Sequence, residues 1–344
     1  MRFQDEPAVE QEGQGGGPCV GVLLVNLGTP QAPTAAAVRR YLAEFLSDPR
    51  VVELPRPLWL PVLHGVILRT RPARSAAKYA KVWTPEGSPL AVWSARQAVL
   101  LRGYLGELGV KAQVRMAMRY GQPSVAGGLD ELKAPGCRHI LVLPLYPQYA
   151  ASTTASVMDA VSAWAARQRH LPELRFVNQF HDDAGYIGAL AARIRGYWQE
   201  HGQPDQLVMS FHGLPERAAR LGDPYRAQCE QTARLLAAQL ALPEGRWLIT
   251  FQSRMGRARW LEPATQPTLE RLARQGAGRV DVACPGFVSD CLETLEEIGL
   301  QARAAFQAAG GRGLHTIPCL NDHPAWIAAL AQIAQRHLQG WPGI

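Results

Sequence analysis

Short apolar runs rich in β-branched residues alternate along this chain with longer stretches in which Ala, Leu and Arg recur at helical spacing. The short runs predict strands at Val20 to Asn26, Gln113 to Tyr120, His139 to Pro144, Leu174 to Val177, Gln206 to Phe211, Trp247 to Gln252 and Arg279 to Ala283. The longer ones predict helices over Val92 to Leu108, Ser156 to Arg167, Tyr186 to His201, Tyr225 to Leu240, Thr268 to Gln275, Leu292 to Ala309 and Pro324 to Leu338. Near-continuous apolar strands separated by amphipathic helices specify parallel sheets covered on both faces. The expected class is α/β, with two similar Rossmann-like domains and a cleft between them.

An internal echo supports two similar halves. The first strand runs into Gly28-Thr29-Pro30 and a later one into Gly213-Leu214-Pro215. Further on, one strand ends at Pro144 and another at Pro285, each followed by an aromatic and then a polar helix start. The interval from Gly28 to Pro144 is the longer, and its excess falls largely in Tyr41 to Arg71, which is unusually apolar for a connection. The expected division is a disordered tail at 1–18, polar and Gly-rich; a first domain at 19–168 plus 322–344, with an apolar lip at about 41–71; and a second domain at 169–321. Asp182-Asp183 and Asn321-Asp322-His323-Pro324 each precede a helix and read as its cap.

Composition narrows the function classes. The chain has 344 residues, 47% of them hydrophobic, enough for more than one average domain. Its net charge of +7 comes from Arg and Lys spread along the chain, which favours an anionic ligand or membrane surface over nucleic acid. No run reaches the ~20 apolar residues of a transmembrane helix. Neither a P-loop nor G-x-G-x-x-G follows a strand, which argues against a nucleotide enzyme. Six cysteines without a C-x-x-C pair read as free thiols in a reducing cytoplasm.

Open parallel sheets bind ligands at the carboxyl ends of their strands. His212 stands at such an end, after small Ser210 and before Gly213, which suits an imidazole turned into a cleft. Across from it, Cys284 to Glu297 leaves a strand and starts a helix, with Ser289 or Asp290 as cap. Asp290, Glu293 and Glu297, three and then four apart, are expected along one helical face. One imidazole and several carboxylates suit a divalent transition ion held with open positions.

Several blocks, taken together, resemble the ferrochelatase family over about residues 20 to 335. The two most specific are Ser210-Phe211-His212-Gly213-Leu214-Pro215 and Gly286-Phe287-Val288-Ser289-Asp290 with Leu292-Glu293-Thr294-Leu295. The others, in order, are Leu24 to Pro30, Gly87-Ser88-Pro89-Leu90, Met118-Arg119-Tyr120, Tyr146-Pro147-Gln148-Tyr149 with Ser152-Thr153-Thr154, Gly222-Asp223-Pro224-Tyr225, and Phe251-Gln252-Ser253 with Trp260-Leu261. The resemblance, closest to bacterial protoporphyrin ferrochelatases, implies two chelatase-type domains and insertion of Fe2+ into a porphyrin with release of two protons. It implies His212 and Glu293 as the catalytic and metal-binding pair, with Asp290 and Glu297 as a proton or metal path. Porphyrin contacts would come from Arg119, Tyr120, Tyr146, Tyr149 and Trp260, with Ser88 and Lys81 as weaker candidates; spacing before Gly87 departs from the family pattern.

The lip implies protoporphyrin IX as substrate, because lipless relatives resemble coproporphyrin chelatases. Its apolar residues with Arg56, Arg69, Arg71 and Arg74 also suit a peripheral contact with anionic lipid headgroups. No iron-sulfur cluster is expected, since Ala151 stands where cluster-bearing relatives place a cysteine. The residues alone leave open a chelatase for coproporphyrin III or another tetrapyrrole and metal, and a non-catalytic two-lobed metal- or haem-binding protein.

Overall fold

The computed structural model describes residues 19–254, 256 and 258–341; the expected tail at 1–18 lies outside them. Two four-stranded sheets, parallel throughout, make up the framework. The first contains β1 (Val20–Gly28), β2 (Ala112–Tyr120), β3 (His139–Pro144) and β4 (Glu173–Phe176) in the order β2-β1-β3-β4. The second contains β5 (Gln206–His212), β6 (Trp247–Gln252), β7 (Arg279–Ala283) and β8 (Gly313–Thr316) in the order β6-β5-β7-β8. The two orders match strand for strand, so the sequence echo is an echo of topology. The second sheet's edge strand, β8, was not predicted: of its four residues only Leu314 is buried, too little for a hydrophobic period.

Helices α1 (Ala35–Leu46), α2 (Arg56–Val62), α3 (Leu68–Val82) and α4 (Pro89–Glu107) separate β1 from β2, with a π-helical turn at Leu63–Ile67 joining α2 to α3. After β2 come α5 (Val125–Lys133), a π-helical turn at Ala151–Ala155 running into α6 (Ser156–Ala165), and α7 (Ala184–His201). The second lobe carries α8 (Glu216–Arg220), α9 (Tyr225–Gln239), α10 (Thr265–Arg274) and a π-helical stretch at Glu293–Ala302 continuing as α11 (Arg303–Ala308), after which α12 (Pro324–Leu338) returns to the first lobe and packs on α4, α7 and β3. Asp183 caps α7 by accepting the Tyr186 amide, and Pro324 opens α12.

The largest core lies between the sheets. It joins Val22 and Leu24 of β1, Leu101 and Leu105 of α4, Leu190 and Ile194 of α7, Trp326 and Leu330 of α12, and Met209 and Phe211 of β5. Two smaller cores cover the outer faces, one under α5 and α6 and one under α10 and α11. The near-uninterrupted burial of β1 follows from being central and covered on both sides.

Three expectations need correction. The boundary at 168/169 is misplaced, because β4 pairs with β3 and completes the first sheet; a strand belongs with the sheet that satisfies its hydrogen bonds. The cysteines are not all free: Cys19 and Cys137 form a disulfide. They adjoin neighbouring strands whose register sets Val20 beside His139. Cys229, Cys284, Cys291 and Cys319 remain free and buried. Third, Asp290 precedes the helix instead of lying on its face, since the helical stretch opens at Glu293 with i→i+5 bonding. Among the described residues, no helix is long and apolar enough to cross a membrane.

Candidate active site

β5 ends at His212, half-buried, and the chain turns at once because Gly213 lies against a neighbouring strand. Its amide donates to the Gln252 carbonyl at 2.7 Å, and a Cβ there would stand 2.5 Å from that oxygen and 3.2 Å from the Trp260 ring. Glycine is therefore required by close approach. The imidazole Nδ1 lies 2.7 Å from the Gly213 carbonyl, which can only accept, so Nδ1 carries the proton. Nε2 is then the nitrogen with a free lone pair. The Phe287 ring stands 6.4 Å away, centroid to centroid. Ser210 is fully buried and bonded to Gln252 and Thr265, so it braces the strand.

Glu293 and Glu297 come from the π-helical stretch. One turn apart, they keep to one side of the helix, and the Glu293 charge acts on Glu297. Burial pushes the Glu297 carboxyl above its ordinary range, against two hydrogen bonds from Ser253 and the proximity of His212. Ser253 donates its amide to Oε1 at 2.7 Å and its hydroxyl to Oε2 at 2.5 Å, from a backbone φ of 63°. Gln252, in register with His212, donates to the Glu293 carbonyl at 3.1 Å. The carboxylates are thus fastened to the strand next to His212's own. Sequence reading assigned no role to Gln252 or Ser253, since each acts through a bond to a residue about forty positions away.

Glu293 also faces two tyrosines of the first lobe. Burial pushes the hydroxyls of Tyr41 and Tyr79 well above their ordinary value, and the Glu293 charge adds to the shift in both. Asp290 is differently occupied. Its buried carboxylate accepts from Asn321 Nδ2 at 2.7 Å and Thr294 Oγ1 at 2.9 Å, and its amide donates to Asn321 Oδ1 at 2.8 Å. It ties down the loop before the helix.

The expected porphyrin contacts divide. Arg119 donates from Nη2 to Asp48 at 2.6 Å and from Nε to the Ser156 carbonyl at 2.8 Å, and Tyr120 is wholly buried with its hydroxyl on Asp48 at 2.8 Å. Both belong to a polar lock at the strand ends, where Arg119 is held through Nε and Nη2. Ser88 is buried and accepts the Thr29 hydroxyl at 2.8 Å. Tyr146 and Tyr149 are half-buried at the end of β3, and the Tyr146 hydroxyl is buried without a hydrogen-bond partner. Trp260 covers Gly213 and, with Arg226 and Arg259, lines a pocket of about 420 Å³. A smaller pocket of about 100 Å³, lined by Thr29, Pro30, Arg40, Tyr41 and Glu44, opens at the ends of β1 and β2. Among the described residues, no three His, Cys, Asp or Glu side chains converge as a metal cage.

Two parallel-sheet lobes with matching strand order and a histidine facing helical carboxylates define a chelatase-type protein. Solved structures agree on the fold: SirB from Bacillus subtilis with Fe3+ superposes with a TM-score of 0.56 at 13% identity, over 93% of this chain and 96% of that one. The sirohydrochlorin chelatase SirB from Bacillus subtilis subspecies spizizenii, in complex with cobalt, gives 0.53 at 11% identity over the same shares. The ferrochelatase family model matches residues 19–338. The chain is 65% identical to the ferrochelatase of Methylibium petroleiphilum over 99% of its length and 93% of the relative's, and 57% identical to that of Bordetella pertussis over 98% and 94%. It belongs to the ferrochelatase family: a porphyrin metal chelatase, a lyase of the terminal step of heme synthesis, with ferrous iron as the substrate metal.

Proposed function

We propose that the chain inserts Fe2+ into protoporphyrin IX, with His212 as the proton-accepting and metal-steering residue and Glu293 as its acidic partner. The observation that carries this is the His212 tautomer: Nδ1 is held by the Gly213 carbonyl, leaving Nε2 to accept a pyrrole proton or meet the metal. In the reaction two pyrrole N–H bonds break, four Fe–N bonds form, two protons leave and iron stays in the ferrous state. Glu293 and Glu297 offer oxygen ligands and proton acceptors along one helical side. Glu297, lifted by burial, is the better suited to take up a proton and pass it on. Because these side chains do not enclose a metal by themselves, coordination positions stay open for the macrocycle's nitrogens.

Tyr146, Tyr149 and Trp260 supply aromatic surface for the ring. Protoporphyrin is favoured over coproporphyrin by the lip, where Leu54, Leu58, Val62 and Val66 are exposed beside Arg56 and Arg69. The same surface suits a peripheral contact with an anionic membrane face from the cytoplasmic side. Anaerobic incubation of wild type, His212→Ala and Glu293→Gln with ferrous iron and either porphyrin tests reaction, substrate and site together. The expected result is insertion into protoporphyrin by wild type and none by His212→Ala. Near-normal turnover in that variant, or a preference for coproporphyrin, refutes the respective part.

A further inference from the structure

One buried charge on the π-helical stretch plays no part in the chemistry above. Glu296 lies between Glu293 and Glu297 in sequence, yet its side chain is only 2% exposed. It is met from across the cleft by two lysines of α3: Lys81 Nζ lies 3.3 Å from Oε1 and Lys78 Nζ 3.5 Å from Oε2, and Gln301 also donates to Oε2. α3 starts at the end of the first-lobe insertion and runs on past it, and the π-helical stretch lies in the second lobe, so the contact spans both halves of the molecule. The same helix touches the stretch at a second point, where Leu292, at its start, packs with Val38, Ala76, Tyr79 and Trp83.

A carboxylate this buried is costly unless paired, and losing its partners leaves an uncompensated charge. The π-helical form also needs support, because the same residues could tighten into an α-helix with i→i+4 bonds. Such a change of register would rotate Glu293 and Glu297 relative to each other and to His212. Holding Leu292 by packing and Glu296 by charge fixes the helix on either side of Glu293.

Resting on the proposed roles of His212, Glu293 and Glu297, we infer that Lys78 and Lys81 are positioning residues. They clamp Glu296 so that α3 of the first lobe holds the π-helical stretch in the register that aims Glu293 and Glu297 at the reacting centre. The lysines touch no reacting atom and act through Glu296 alone. A shift of about 1 Å in a catalytic group can lower a rate by about a hundredfold, so loss of the clamp should be visible kinetically.

The test compares single-turnover iron insertion in wild type, Lys78→Ala/Lys81→Ala, Lys78→Arg/Lys81→Arg and Glu293→Gln, each with porphyrin affinity and stoichiometry measured by fluorescence titration. Arg217→Ala is the control, since Arg217 pairs with Glu53 of the same insertion at 2.7 Å but at an exposed site away from the π-helical stretch. The double alanine variant should keep its porphyrin stoichiometry and affinity while insertion per bound porphyrin falls about tenfold to a hundredfold. The double arginine variant should recover most of that loss, and Arg217→Ala should match wild type. Insertion within twofold of wild type in the double alanine variant overturns the inference, as does a loss that merely tracks reduced porphyrin stoichiometry, which marks unfolding. Normal insertion by Glu293→Gln sinks the site assignment itself and not the clamp.

Discussion

Asp48 should prove a stability hub, and replacing it with Asn is the sharpest test of where Arg119 belongs. Its Oδ2 accepts from Arg119 at 2.6 Å, Ser156 at 2.6 Å and Tyr120 at 2.8 Å, while Oδ1 accepts the Arg50 amide at 2.8 Å. Burial alone would raise this carboxyl, but the bonds from Ser156, the Arg50 amide and Tyr120, with the Arg119 charge, hold it below its ordinary value. An Asn amide cannot satisfy the set. With its oxygen toward the three donors, its NH2 meets the Arg50 amide; reversed, it meets Arg119, which cannot accept. Breaking a buried pair costs about 3–5 kcal/mol; with the Arg119 side chain 18% exposed, about 3 kcal/mol is expected. Equilibrium urea unfolding would read this as a lower midpoint at unchanged slope. Because the native carboxyl is depressed, wild-type stability from this group is complete above the unfolded value of 3.8 and is lost as pH falls through the native one. The gap between wild type and Asp48→Asn should therefore close in acid. A loss under about 0.5 kcal/mol at neutral pH, or an Arg119→Ala variant that keeps full stability but binds porphyrin tenfold more weakly, would refute the lock and return Arg119 to the ligand.

His212→Ala should lower iron insertion about a hundredfold or more while porphyrin binding, followed by fluorescence, stays within a few-fold. Glu297→Gln keeps an acceptor for the Ser253 amide and adds a donor for its hydroxyl, but removes a buried charge. The native carboxyl sits above its unfolded value of 4.5, so wild type loses stability as pH rises through the native value; the variant should melt higher than wild type at pH 8 and lose that advantage below pH 4.5. On the lip, Leu58 is 70% exposed and Val62 44%, so Leu58→Glu/Val62→Glu should leave the melting temperature unchanged while abolishing co-sedimentation with vesicles containing anionic lipid; undiminished co-sedimentation would remove the membrane reading.

The sequence displayed what depends on local pattern and hid what depends on distant pairing. The apolar period located β1, β3, β5 and β7 because burial on both faces leaves continuous hydrophobic runs. His212 was visible because a strand end followed by Gly is a local signal with a local cause. The insertion was visible because Tyr41 to Arg71 is too apolar for a connection. The π-helical stretch had no such signature: Glu293–Ala302 reads as an ordinary amphipathic helix, and its wide turns are held by Gln252, Ser253, Lys78 and Lys81. The Asp48 lock was hidden for the same reason, since its partners stand at 119, 120 and 156.

The matching sheet orders turn the sequence echo into a division of labour between the lobes. Laying β1 on β5 sets Gly28 on Gly213 and Leu27 on His212. Both glycines are fixed by close approach, since a Cβ on Gly28 would stand 1.9 Å from the Tyr120 carbonyl oxygen. The turn was therefore kept in both lobes while the imidazole occurs in one. At the corresponding place the first lobe offers Leu27 and Thr29, which can line a cleft but accept no proton from a pyrrole. What the first lobe adds instead is the insertion, with its apolar surface outward and α3 inward against the π-helical stretch. On the proposed role of His212, a single reacting centre between two like lobes needs the excess residues in one half only, in the half without that imidazole.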